Sequence, residues 1–384
     1  MDPVNHLVHS ARLVDDGHEI ADAWLLVRDG RVAERGTGDG WRAHVTAADE
    51  ITDAAAAAGP RAVLAPGFVD IHGHGGGGAA YDDGAEAIRT ARALHRAHGT
   101  TRAVVSLVTA SLDDLARRVA MIADLIETDP GVLGSHLEGP FLDPGHHGAH
   151  DPDLLAAPAP DAVGRLLEAG RGTVRQVTIA PELPGALAAI ERITTAGAAA
   201  AVGHTDADAD VTRRAFDAGA TILTHAFNAM PGLHHRAPGP VGAATGDPRV
   251  TVEVIADGVH LHPDILRIVF AAAPGRVALV TDAMAAAGSA DGEYLLGALR
   301  VQVENTVARL ADGTIAGSTL TQDAALRTAV AAGVPLPEAV RALTATPARA
   351  IGRPDLGSLQ PGAPADAVLL DEALRVSRVW TGRA

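Results

Sequence analysis

The chain contains no lysine: all 31 of its basic residues are arginine. A Schiff-base lysine, a P-loop lysine and a carbamylated lysine bridging two metals are therefore excluded. Cysteine is absent too, which removes disulfides and thiolate chemistry. Aromatic residues make up only 3%, so any core has to be built mainly from Ala, Val, Leu and Ile. No apolar run reaches transmembrane length. The opening stretch MDPVNHLVHSARLVDDG lacks the basic-then-apolar order of a secretion signal. Positive charge is scarce as well, and a formal net charge of -16 argues against nucleic acid or an anionic membrane as partner. The expectation is a cytoplasmic protein that works on something small.

What is present is a globular composition, with 47% hydrophobic and 20% charged residues over 384 positions. That length suits one large domain plus a smaller one. Alternation through Ala23-Trp24-Leu25-Leu26-Val27, a turn at Asp29-Gly30 and resumption at Arg31-Val32-Ala33 read as a β-hairpin. Asp366-Ala367-Val368-Leu369-Leu370 and Val376-Ser377-Arg378-Val379-Trp380 read the same way near the other end. Both termini are thus expected to share a small β domain, residues 1–64 and 348–384, flanking a larger unit at 65–347.

In that larger unit, short apolar runs alternate with Ala/Leu/Arg-rich helical stretches. Residues 62–71, 101–108, 132–138, 174–180, 199–204, 220–226, 250–256 and 276–281 read as strands. Helices are expected at 84–98, 111–127, 184–196, 206–218 and 262–272. Eight such steps predict an α/β fold, a (β/α)8 TIM-type barrel, over a doubly wound sheet. The glycine run at residues 73–78 follows a strand but lacks the GxGxxG spacing of a dinucleotide site.

Chemistry in such barrels sits at the C-terminal strand ends. The first predicted strand ends in Asp70-Ile71-His72-Gly73-His74, and residues two apart in a strand share a face, so both rings can address one metal. The third ends in His136-Leu137-Glu138, the fifth in Val202-Gly203-His204, the sixth in Thr224-His225 and the eighth in Val280-Thr281-Asp282. A lone histidine at a strand end is more often a hydrogen-bonded structural residue. Five strands ending in ligand types are hard to explain by packing. Imidazoles with carboxylates suit zinc, iron, manganese or nickel. Loop residues after these strands, Arg236 and His260 among them, are of the types that bind an anion, although a solvated arginine and a loop histidine would look the same.

In this order, PGFVDIHGHG, HLEGPF, GAH, VGHT, THAFNAMPGLHHR, ADGVH and VTDAM resemble the N-acetylglucosamine-6-phosphate deacetylases of the amidohydrolase superfamily. The likeness spans the chain, including the closing GSLQPGAPADAVLL. PGxxDxHxH marks amidohydrolases in general, whereas HLEGPF together with THxxNAMP is specific to the deacetylases.

The resemblance implies a barrel carrying a β-sandwich made from both chain ends. It implies a main divalent metal on Glu138, His204 and His225. A second would sit on His72 and His74, with Glu138 bridging and Asp282 as a further ligand. Zinc is expected, with iron or manganese as alternatives, at one or two ions per subunit. The missing lysine fits a glutamate bridge. His150 would contact the acetamide or sugar, and Asn228, Arg236, His260 and the Ala229 backbone would hold the 6-phosphate, with Gly139 also at the substrate. Asp282 would serve as general base and then general acid, releasing glucosamine 6-phosphate and acetate in amino-sugar catabolism. A homodimer is implied, because a neighbouring subunit can supply phosphate contacts.

Dihydroorotases, allantoinases and adenine deaminases share the HxH pair and the strand-end aspartate but not the HLEGPF and NAMP segments. The same motifs leave open a deacetylase of a related amino sugar. A non-enzymatic scaffold on this barrel would have lost ligand positions, and here all are filled.

Overall fold

The computed structural model describes residues 5–382. Two sheets organise them. The first has seven strands drawn from both ends of the chain: His6–Asp15, His18–Arg28, Arg31–Thr37, Glu50–Asp53, Val63–Pro66, Ala367–Leu370 and Val376–Trp380. Its hairpin turns at Asp29 and Gly30, which have φ of 52° and 74° between the paired residues Arg28 and Arg31. Positive φ at both central positions is the twist that a two-residue hairpin requires, and Asp-Gly is a sequence that accepts it.

The second sheet has eight parallel strands: β1 (Phe68–Asp70), β2 (Thr100–Val108), β3 (Val132–Glu138), β4 (Val174–Ile179), β5 (Ala199–Val202), β6 (Ile222–Leu223), β7 (Thr251–Ile255) and β8 (Val277–Val280). Each pairs with its sequential neighbour, the order of a TIM-type barrel. Strands β2 and β3 are buried along their whole length, as parallel strands covered on both faces must be. Helices cover the outside, among them Ala85–Ala97, Leu112–Ile126, Pro160–Ala169, Ala186–Thr195, Ala209–Asp217 and Pro263–Ala272. The Ser111 hydroxyl accepts from the Asp114 amide at 3.1 Å and starts the second of these.

The barrel closes beyond its strand ends. The Thr281 hydroxyl donates to Asp70 Oδ2 at 2.6 Å, the Asp282 amide to the His72 carbonyl at 2.8 Å, and the His74 amide to the Ala283 carbonyl at 2.7 Å. The barrel is tied to the terminal sheet by a buried pair, in which Arg102 Nε and Nη2 donate to Asp366 at 2.6 and 3.1 Å.

Two expectations change, and one element was not anticipated. The run 62–71 is not one strand. Val63–Pro66 joins the terminal sheet, and Phe68–Asp70 opens the barrel. Gly67 separates them because a Cβ there would lie 2.3 Å from the Thr101 hydroxyl of β2. The sixth strand is shorter than 220–226, since the backbone leaves the ladder as His225 turns to φ 25°. Beyond β8 the chain forms a three-stranded antiparallel meander, Gly292–Leu296, Leu299–Glu304 and Val307–Arg309. Leu296, Val301, Val303 and Ala308 pack with Met284, Ala286 and Val108 beside the barrel mouth.

Candidate active site

All the strand-end residues singled out in the sequence meet at one end of the barrel. His72 and His74 follow β1, Glu138 is the last residue of β3, and His204, His225 and Asp282 stand just past β5, β6 and β8. His204, His225 and Asp282 have φ of 47°, 25° and 47°. Left-handed backbone at a residue with a Cβ costs about 1–3 kcal/mol and persists only where the surroundings impose it.

Glu138 lies at the centre. Its Oε1 is 3.2 Å from His72 Nε2, 3.3 Å from His204 Nε2 and 3.1 Å from His225 Nε2. Its Oε2 is 3.0 Å from His74 Nε2 and 3.5 Å from His150 Nε2. Asp282 Oδ1 is 3.3 Å from His74 Nε2. Two donor groups result, His72/His74/Glu138/Asp282 and Glu138/His204/His225, each with its ligand atoms within 4.8 Å of one another and every member buried.

These residues suit divalent metal. The His204 Nδ1 proton is donated to the His146 carbonyl at 2.9 Å, which leaves a lone pair on Nε2. That Nε2 faces His225 Nε2 at 3.0 Å, so two ring nitrogens converge where one cation would satisfy both. Nδ1 of His74 and of His225 is buried with no hydrogen-bond partner. Such a set of imidazoles and carboxylates is a donor shell for first-row divalent ions.

Burial and neighbouring charge compete across the cluster. Burial disfavours a charged ring at His74, but Asp282 and Glu138 outweigh it and raise its pKa to about 9. Burial would likewise raise Glu138, yet His72 and the surrounding rings of His150, His204 and His225 hold it well below the usual range. Burial pushes Asp282 up, and the rings of His72 and His74 bring it down to about 2. His150 goes the other way: burial lowers it to about 4, so it is neutral. Its Nδ1 accepts from the Thr109 hydroxyl at 2.8 Å and the Thr109 amide at 3.4 Å, which places the proton on Nε2, facing Glu138.

A cavity of about 340 Å³ opens over the cluster. His74, Glu138, His150, His204, His225, Asn228, Ala229, His260 and Asp282 line it, together with Leu296, Thr314, Ile315 and Gly317 from the meander and the loop after it. His260 Nδ1 is 2.7 Å from Asp257 Oδ2. Burial lowers His260, but Asp257 more than offsets this and the ring's pKa is raised. His72 lies beneath the cavity, fully buried. Gly139 does not line it; its φ is 93°, and a Cβ there would lie 2.1 Å from the Thr109 hydroxyl that holds His150. Arg236 is exposed on its loop, with Nη1 2.7 Å from His235 Nε2, and does not reach the cavity within this chain. A larger concavity, about 780 Å³ between helices Pro160–Ala169 and Ala186–Thr195, holds no histidine.

Residues missed in the sequence include Thr109, the meander wall and Glu253, whose Oε2 lies 3.1 Å from His72 Nδ1. The only signal for Glu253 was a lone acid in the apolar strand Thr251–Ile255.

The amidohydrolase family profile matches residues 63–381. The chain is 38% identical to the N-acetylgalactosamine-6-phosphate deacetylase of Escherichia coli O157:H7, over 98% of both chains. It is 37% identical to the N-acetylglucosamine-6-phosphate deacetylase of Danio rerio, over 83% of each. Among solved structures it is similar to an aspartate-to-alanine variant of N-acetyl-D-glucosamine-6-phosphate deacetylase from Mycobacterium smegmatis, in complex with N-acetyl-D-glucosamine-6-phosphate. That match has a TM-score of 0.92 and 45% identity, over 98% of both chains.

Proposed function

The chain belongs to the amidohydrolase family, and within it we propose a deacetylase that hydrolyses N-acetyl-D-glucosamine 6-phosphate to glucosamine 6-phosphate and acetate. The observation that carries this reading is the sharing of Glu138 by two metal-donor groups, with Asp282 facing the same cavity. The N-acetylgalactosamine 6-phosphate relative makes the galacto sugar the second candidate.

A divalent ion, zinc in this reading, would be held by Glu138, His204 and His225, and a second by His72, His74, Glu138 and Asp282. When bound, such an ion polarises the amide carbonyl and lowers the pKa of water from about 15.7 towards about 7. Asp282, within reach of the cavity, takes the proton of the attacking water and passes it to the amine nitrogen, which cannot leave as an anion. His150, carrying its proton on Nε2, stabilises the negative charge that develops on the acetamide oxygen. His260 and Asn228 hold the phosphate end and so orient the amide. Arg236 of the partner subunit would complete the phosphate site in a homodimer, which we also propose, in the cytoplasm.

The test is acetate release by protein stripped with a chelator and reloaded with zinc. The substrates are both N-acetylhexosamine 6-phosphates and unphosphorylated N-acetylglucosamine. Metal-dependent release from the glucosamine phosphate, with a much lower kcat/KM for the free sugar, is expected. No acetate from any phosphorylated substrate would sink the activity, and equal efficiency without phosphate would sink the roles of His260 and Asn228.

A further inference from the structure

Glu253 stands in the middle of β7 with none of its surface exposed. A carboxylate inside a barrel is costly unless its oxygens are engaged, and these are. Oε2 lies 3.1 Å from His72 Nδ1 and 3.4 Å from the His225 amide, and Oε1 accepts from Gln176 Nε2 at 2.8 Å. As an acceptor, Glu253 keeps the His72 proton on Nδ1. Nε2 of His72 is thereby turned to Glu138 and Asp282, at 3.2 and 3.7 Å. The two donor groups are propped unequally. His204 leans on a backbone carbonyl, whereas His72 leans on a side-chain carboxyl group.

Charge counting points the same way. Four buried carboxylates, Asp70, Glu138, Asp282 and Glu253, meet in this interior. One dication leaves two negative charges uncompensated there, whereas two dications balance all four.

We propose that Glu253 is the positioning residue of the second ion. Acting through His72, it fixes the ring tautomer and strengthens Nε2 as a donor, so that the group at His72, His74, Glu138 and Asp282 holds its own ion instead of leaving one ion at Glu138, His204 and His225. The inference rests on the metal-hydrolase reading above, and its test separates the two.

Metal-free full-length protein is titrated with Co2+, following the visible absorption of each ion against a competing chelator. Wild type is expected to take two ions. Glu253→Ala should weaken the second ion about 10–100-fold, the usual cost of losing a carboxylate behind a metal-bound imidazole, and the first by less than about threefold. Glu253→Gln keeps an acceptor oxygen for Nδ1 and should lose less; it also decides the matter if the alanine variant does not fold. Equal weakening of both ions, or no weakening of the second, overturns the proposal. A wild type that takes one ion overturns it while leaving the proposed function standing. A wild type that takes none overturns both.

Discussion

Asp282 Oδ1 lies 3.3 Å from Nε2 of His74, and the carboxylate faces the cavity. The contact leaves Asp282 able to exchange protons with whatever occupies that space, while Glu138 is enclosed by four other rings. Asp282→Asn preserves the shape and removes the base. We expect kcat to fall about 10²–10⁴-fold, the range for a positioned general acid–base. The ion on Glu138, His204 and His225 should remain by elemental analysis. Near-normal turnover would refute the proton-carrier role.

His260 supplies a pH signature. Asp257 raises its pKa above the ordinary value, so the ring's positive charge is complete below about 6.5 and is lost as pH rises through the raised value. Affinity for a phosphorylated substrate should therefore be highest on the acid side and decline towards alkaline pH. His260→Gln should raise KM for the phosphorylated sugar and flatten its pH dependence, leaving KM for the free sugar little changed. The KM–pH profiles of the two proteins decide this.

Arg102 and Asp366 are both buried and doubly hydrogen-bonded, joining β2 to the terminal sheet. Arg102→Ala leaves a buried carboxylate without its partner, and urea unfolding should show a loss of about 3–5 kcal/mol. Replacing both residues with apolar ones, as in Arg102→Met with Asp366→Leu, should cost less than the single change. A double variant less stable than the single one would count against this account.

Asp323 accepts from His98 at 3.0 Å, Thr321 at 2.6 Å and Arg327 at 2.8 Å. Burial opposes its ionisation, but these partners prevail and its pKa falls well below the usual range. A depressed folded pKa contributes stability above the unfolded value, about 3.9, that disappears as pH falls through the folded one. Asp323→Asn should therefore be destabilised near neutral pH and approach wild type in acid, as read from unfolding free energies across pH 2 to 7.

Much of the site was legible because metal chemistry restricts residue types and a barrel restricts where they stand. The HxH pair, Glu138 and the residues closing strands five, six and eight needed no knowledge of packing. The division of residues 62–71 was not legible. Both halves are fully buried, so no periodicity distinguishes them, and only Gly67 marks the break. The meander was overlooked because a helix is the usual successor to a barrel strand, although the pattern of Leu299–Glu304 does alternate. Glu253 escaped because a single acid among valines acquires meaning only once β7 places it behind His72. Where Arg236 points depends on a loop, which no strand pattern determines.

The seam between β1 and β8 has a bearing on how the molecule comes into being. Its hydrogen bonds are made by the same short segments that carry His72, His74 and Asp282, and Asp70 meets Thr281 across 211 residues of chain. Such distant partners are among the last to find each other, because closing a long loop costs entropy that only the finished contact returns. On a ribosome, a chain growing from its N-terminus would carry both histidines long before the aspartate emerged. Closing the cylinder and completing the ligand set are then one event, and a truncated product would be inert instead of weakly active.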